Sequence, residues 1–208
     1  MITKPKGTYD VLPDEVKAWT KLESIIRRIC QIYNYKEIRT PIFESSRVFH
    51  RDASDTSDMV TKETYDFLDR SNRQITLRPE GTAGVVRAFI ENKLYAQSPM
   101  QKLFYLGQMF RYERPQKGRN RQFNQFGVEA LGSADPLIDA EVIALGTTLI
   151  KGLGLKNVKV KINSIGDKES REAYKKACVA YFSQYKDELC GDCLTRLEKN
   201  PLRILDCK

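Results

Sequence analysis

Two runs of aromatic and β-forming residues, Lys102 to Tyr112 and Arg121 to Leu131, flank eight residues, Glu113 to Asn120, rich in proline, glycine and basic side chains. Runs of that composition on either side of such a loop specify an antiparallel hairpin with long arms, which constrains the fold more than anything else in the chain. A shorter hairpin precedes it: Thr64 to Leu68, a polar turn at Asp69 to Arg73, then Gln74 to Arg78. Its second arm runs into Pro79-Glu-Gly-Thr82, where a helix is predicted to open and continue through Leu94. Near the start, Val16, Trp19, Leu22, Ile25, Ile26, Ile29, Cys30 and Tyr33 recur at three- and four-residue steps, the stripe of a core-facing helix beginning near Pro13-Asp14. Tyr35 to Glu44 is extended around Pro41, and proline confines it to an edge, a bulge or a strand boundary. Leu137 to Leu153 is a predicted helix ended by Gly152 and Gly154, Val158 to Ile165 alternates as a strand, and Asp167 to Leu189 is a predicted helix capped by Asp167. Hairpins followed by helices, without strict strand–helix alternation, indicate an α+β fold: a largely antiparallel sheet flanked by helices.

The 208 residues allow one large domain or a domain with an insertion. With 41% hydrophobic and 30% charged residues, the composition excludes a disordered chain. No apolar run approaches the roughly 18 residues that cross a bilayer, and Met1 to Lys6 leads into Gly-Thr-Tyr-Asp instead of an apolar signal core, so a cytoplasmic chain with no membrane contact is expected. A net charge of +8 favours polyanionic partners without choosing among them. The five cysteines are odd in number and unevenly spread, which argues for reduced thiols. Cys190-Gly-Asp-Cys193 with Cys207 downstream is part of a zinc pattern, but a second close pair is missing and the sole histidine, His50, is far away in sequence, so no metal is expected. His50, with only the loose run Asp52, Asp55 and Asp58 nearby, is assigned no role.

The chemistry concentrates on the longer hairpin. Alternate residues of an arm point the same way, so Arg111 and Glu113 share a face of one arm while Phe123, Gln125 and Glu129 can share the facing one. Arg111 offers a planar fork to a phosphate, Glu113 can accept from an exocyclic amine, Phe123 offers a ring to a base, and Arg119 can reach a distal phosphate. Together they describe a site for a nucleotide polyphosphate. Simpler readings exist for each part. A basic loop is usually a solvated surface, Glu80 and Thr82 at a strand-to-helix junction cap free N–H groups, and of the nearby rings Phe123 and Phe126 at least one should be buried.

The hairpin resembles motif 2 of class II aminoacyl-tRNA synthetases, and Arg114-Pro-Gln-Lys-Gly-Arg119 followed by Arg121-Gln-Phe123 resembles the histidyl family in particular. Lys6-Gly-Thr-Tyr-Asp10, Thr40-Pro-Ile-Phe-Glu44 (similar to motif 1), Leu77-Arg-Pro-Glu-Gly-Thr82 and Asn163-Ser-Ile-Gly166 resemble that family in the same order, so the likeness covers essentially the whole chain. The resemblance implies a histidine–tRNA ligase that activates histidine with ATP, with Mg²⁺, and transfers it to tRNA(His). It further implies that Arg111 holds the α-phosphate, Glu113 and Phe123 the adenine and Arg119 the γ-phosphate. Glu80, Thr82 and Gln125 would take the α-ammonium of histidine, Glu129 its imidazole, and Gln116 and Lys117 the tRNA acceptor end. Motif 1 would build a homodimer. Residues 1–166 would form the catalytic core and 167–208 the start of a helical insertion. No counterpart of motif 3 or of an anticodon-binding domain follows, so residues 1–208 alone are expected to have little or no aminoacylation activity. Two other classes compete. A synthetase-like regulatory subunit of ATP phosphoribosyltransferase would keep the fold but has no need of Arg111, Glu113, Arg119 and Phe123 together. A plain RNA-binding module would not need the carboxylates Glu80 and Glu129.

Overall fold

The computed structural model describes residues 1–50, 63–164 and 166–207. They form an α+β chain that divides into two compact units, Met1–Val158 and Lys159–Lys208.

In the first unit, helix α1 (Pro13–Ile32) starts on a proline at its first turn, whose missing N–H is no loss there, with Asp14 and Glu15 beside the positive helix end. Strands β1 (Lys36–Glu37) and β2 (Phe43–Ser45) follow on either side of Pro41. The proline thus stands at a strand boundary, one of the places expected for it, and among the described residues β1 pairs with β5 (Gln101–Phe110) alone, in parallel, and β2 with β4 (Gln74–Leu77) alone. Strand β3 (Tyr65–Leu68) forms the expected hairpin with β4, giving one sheet ordered β2-β4-β3. The longer hairpin joins β5 to β6 (Gln122–Leu131) through ten consecutive pairs from Gln101↔Leu131 to Phe110↔Gln122, giving a second sheet ordered β1-β5-β6.

This register sorts the hairpin into two faces. Phe104, Leu106, Phe126 and Val128 pack with Ile26, Ile29 and Cys30 of α1 and with Leu145 and Leu149 of α4 (Pro136–Gly152). Each fully buried aliphatic side chain there contributes about 1.5–3 kcal/mol. On the other face Leu103, Tyr105 and Met109 pack with Val85 of α2 (Thr82–Glu91), and Phe123 lies against the same cluster. That second face is only partly covered, and it carries the candidate site.

Three sequence expectations need correction. The helix opening at Thr82 stops at Glu91, because Lys93 takes a left-handed conformation (φ 52°), and a separate turn of helix, α3 (Leu94–Gln97), follows. The helix after Asp167 is α5 (Lys168–Ser183); it ends well before Leu189, and a 3₁₀ turn at Lys186–Glu188 follows. Asp167 caps α5 as expected, its Oδ1 accepting from the Ser170 N–H at 2.7 Å. Val158 to Ser164 forms no strand, and Ile165 lies outside the described residues. Its alternation is real, but Val158, Val160 and Ile162 are all exposed and, among the described residues, no strand is paired with them. Alternation prepares a segment for a sheet; a ladder partner makes it a strand. The second unit is completed by α6 (Gly191–Lys199) and a 3₁₀ segment Pro201–Asp206, with Cys193, Leu197 and Ile204 at its centre.

Candidate active site

Strand pairing places Met109 opposite Phe123, Gly107 opposite Gln125, Tyr105 opposite Gly127 and Leu103 opposite Glu129. Beyond the last ladder pair the Arg111 N–H still donates to the Arg121 carbonyl at 2.8 Å, so Arg111 continues the same face. Phe123, Gln125, Glu129 and Arg111 therefore do share one surface. The Arg111 guanidinium carbon lies 5.2 Å from the centroid of the Phe123 ring, within cation–π range. Its Nε donates to the Pro79 carbonyl at 2.9 Å, which ties the arginine to the junction carrying Glu80.

Glu113 sits between two arginines. Arg111 Nη1 is 3.8 Å from one carboxylate oxygen and Arg119 Nη1 is 3.4 Å from the other. The two contacts differ in character. The Arg111 and Glu113 side chains are 26% and 16% exposed, whereas that of Arg119 is 65% exposed. An exposed pair is worth about 0–1 kcal/mol, so Arg119 is easily drawn to another anion, while Arg111 is already fixed by the carbonyl and the ring. Arg121, not singled out by the sequence, supports this end of the hairpin: its Nε donates to the Glu113 carbonyl at 3.1 Å, and its guanidinium carbon lies 3.9 Å from the centroid of the Tyr112 ring. The loop tip is a tight turn in which Gln116 and Arg119 exchange backbone hydrogen bonds, with Gly118 at φ +80°. Gln116 and Lys117 are exposed on it.

At the other end of the face lies an acidic cluster. Glu80 caps α2 with both oxygens, accepting from the Thr82 N–H at 2.5 Å and the Ala83 N–H at 2.8 Å. The helix-capping reading of Glu80 is thus realised, and each oxygen keeps a lone pair for a ligand. The Thr82 side chain lies near the Glu129 carboxylate and the Tyr105 hydroxyl, and its polarity works to lower both their pKa values. Burial pushes the Glu129 pKa up, and the nearby charge of Glu80 adds to the rise. Burial likewise pushes the Tyr105 phenol up. Gln125 Oε1 is buried without a hydrogen-bond partner among the described residues, an open acceptor of a kind that native proteins rarely leave unanswered.

Tyr105 holds this cluster together and was missed in the sequence, where it reads as one more core aromatic. Its ring lies flat against two glycines: a Cβ on Gly81 would fall 2.2 Å from the ring and one on Gly127 2.3 Å from it. The ring occupies the space that side chains at those positions would take. Arg78 plays a similar part at Gly107, where a Cβ would meet its Nη2 at 2.5 Å. It donates from Nε to the Gln108 carbonyl at 2.8 Å and from Nη1 to the Thr40 carbonyl at 2.9 Å, buckling the Pro41 segment to β5.

His50 has a partner that the sequence did not reveal. Its Nε2 lies 3.2 Å from Asp66 Oδ1, while the run Asp52, Asp55 and Asp58 lies outside the described residues. Burial raises the Asp66 pKa, but hydrogen bonds from Thr64, Thr76 and His50 outweigh it and leave the net shift downward. Thr76 is fully buried and also hydrogen-bonds Ser46 Oγ at 2.8 Å, so this network ties the 3₁₀ turn after β2 to β3 across β4. Among the described residues the one His, Cys, Asp and Glu grouping tight enough for a protein-held metal is Cys190, Cys193 and Cys207, in the other unit.

The family model described as Histidyl-tRNA synthetase matches residues 7–166. The chain is 58% identical over 205 residues to the histidine–tRNA ligase of Bacillus cytotoxicus, covering 98% of this chain and 48% of that protein. It is also 58% identical over 209 residues to histidine–tRNA ligase 1 of Shouchella clausii, covering 100% and 49%. It thus spans about half the length of the curated relatives it matches. The crystal structure of apo S. aureus histidyl-tRNA synthetase superimposes with a TM-score of 0.77 at 46% identity, over 100% of this chain and 49% of that one. A protein described as an ATP phosphoribosyltransferase regulatory subunit/histidyl-tRNA synthetase from Bacillus halodurans aligns at TM-score 0.69 and 23% identity, over 95% and 54%, a likeness of fold alone. The sequence match over most of the chain and the shared fold have one reading: this chain belongs to the histidyl-tRNA synthetase family.

Proposed function

We propose that the chain carries the ATP- and histidine-binding face of a histidine–tRNA ligase. The observation that carries this reading is the single face on which Arg111 lies over Phe123 at one end and the carboxylates Glu80 and Glu129 stand at the other. Adenine stacks on Phe123 and meets Glu113, the α-phosphate meets Arg111, and Arg119 leaves its exposed contact with Glu113 for the γ-phosphate. Histidine lies over Tyr105, its α-ammonium answering Glu80, Thr82 and the open Gln125 acceptor, its imidazole N–H donating to Glu129. An ammonium at about 4 Å from a carboxylate gains roughly 4 kcal/mol at an effective dielectric of 20, enough to select for it.

In the activation step a histidine carboxylate oxygen forms a bond to the α-phosphorus while the bond to the β-phosphate oxygen breaks, releasing pyrophosphate. Negative charge gathers on the non-bridging oxygens, where the pinned guanidinium of Arg111 meets it without having to reorganise. No side chain has to move a proton. Mg²⁺, as the family implies, would neutralise phosphate charge; the described carboxylates form no magnesium cage, and Glu113 is already engaged by two arginines, so the ion would arrive on the phosphates. The second step passes histidine to the acceptor end of tRNA(His), which Gln116 and Lys117 meet from the exposed loop. Residues 1–166 serve as catalytic core, 167–208 begin a helical insertion, and the whole protein works in the cytoplasm as a homodimer built on the motif 1 segment.

Calorimetric titration of ATP and of histidine into the 208-residue chain tests the reading. Arg111→Ala should weaken ATP binding and spare histidine, and Glu80→Ala should do the reverse. Binding of neither ligand, or binding indifferent to both substitutions, contradicts it.

A further inference from the structure

The second unit, Lys159–Lys208, has a small core: Cys178, Cys193, Leu197, Pro201 and Ile204 are its buried side chains among the described residues. None of the five cysteines is in a disulfide. Three of them nevertheless meet. Cys190 is the residue before α6, Cys193 lies in its first turn, and the 3₁₀ segment Pro201–Asp206 folds back to deliver Cys207. The three Sγ atoms all lie within 4.8 Å of one another, and Cys190 and Cys207 are 3.9 Å apart.

We propose that Cys190, Cys193 and Cys207 are a three-thiolate site for a thiophilic divalent cation, Zn²⁺ in the first instance. Two sulfurs each about 2.3 Å from a tetrahedral zinc lie about 3.8 Å apart, close to the separation found between Cys190 and Cys207. Thiolate sets of this kind select soft cations over Mg²⁺ or Ca²⁺. Core packing accounts for Cys193, which is 1% exposed, but does not account for Cys190 and Cys207, both exposed and both turned to the same point. The fourth position is left to water or an exchangeable ligand. Zinc there clasps both ends of the segment that runs from α6 to Cys207 and stabilises the unit by binding only its folded form. The sequence grouped these three cysteines as part of a zinc pattern but set metal aside for want of a second close pair; the fold brings the third ligand without one.

The test is titration of Co²⁺ into the full 208-residue chain kept reduced with a phosphine. The expected result is one equivalent bound, with the visible bands of tetrahedral cobalt and a thiolate charge-transfer absorption, displaced by Zn²⁺. Cys190→Ser and Cys207→Ser should each weaken binding at least tenfold, since even a partner outside the ligand set costs about 10–100-fold. Cys178→Ala should leave it unchanged. Cys193→Ser also removes core packing, so the two exposed positions decide. Absence of the tetrahedral spectrum, a spectrum unchanged in both serine variants, or recovery of a Cys190–Cys207 disulfide from a chain that takes up no metal would each overturn the proposal.

Discussion

Arg111 is held in place before any ligand arrives, by the Pro79 carbonyl, the Phe123 ring and Glu113, whereas Arg119 hangs largely in solvent. Preorganisation separates their expected contributions. Hydrogen bonds to charged groups are worth about 1.5–3 kcal/mol, so Arg111→Ala should weaken ATP binding roughly 10- to 150-fold by calorimetry. Arg119→Ala should cost less, about tenfold at most, because the flexible side chain loses more freedom on engaging. Glu129 gives a prediction of opposite sign for stability and binding. Its folded pKa is raised by burial, so ionising it disfavours the fold, and the stability that protonation supplies is lost as pH rises through that raised value. Glu129→Gln should therefore keep or raise the melting temperature at neutral pH while weakening histidine binding at least about tenfold. In the unsubstituted chain histidine affinity should fall as pH drops through the raised Glu129 pKa, and that loss should be absent in Glu129→Gln. A parallel loss in both would assign the pH dependence to the ligand's own imidazole.

At the scale of elements the hairpin is the organising part, and Tyr105 depends on the two glycines beside it. Gly127→Ala or Gly81→Ala drives a methyl into the ring and should destabilise the chain by about 1–3 kcal/mol in thermal or denaturant unfolding, with histidine binding lost along with the displaced Tyr105. Gly146, in the middle of α4 with nothing near the position of its missing Cβ, is the natural contrast. Gly146→Ala should stabilise by about 0.5–1 kcal/mol. The hairpins, α1, α4 and the break in pairing around Pro41 were legible because local composition and tertiary packing agree there. Strand alternation grouped Arg111 with Glu113 and Phe123 with Gln125 and Glu129, while the choice of Phe123 over Phe126 as the ligand-facing ring came from the family resemblance. Tyr105, Arg121 and Asp66 were not legible, since their roles come from what the register and the turns place opposite them. Val158 to Ile162 misled for the complementary reason: its pattern is that of a strand, but a ladder partner is a property of the fold.

Taken as a whole, the first unit separates its tasks by face. One side of the β5–β6 hairpin packs with α1 and α4 as core; the other, partly open, holds guanidinium, ring and carboxylates in one line. Placing the site on two paired strands, and not on loops, fixes its spacing by the ladder itself, which suits a reaction driven by positioning and charge. The most direct measurement is a crystal structure of the chain with a non-hydrolysable ATP analogue. The account predicts the adenine stacked on Phe123, the α-phosphate on Arg111, and Arg119 withdrawn from Glu113 toward the terminal phosphate. A nucleotide bound elsewhere, or one bound with its adenine off Phe123, its α-phosphate away from Arg111 or Arg119 still on Glu113, would contradict it.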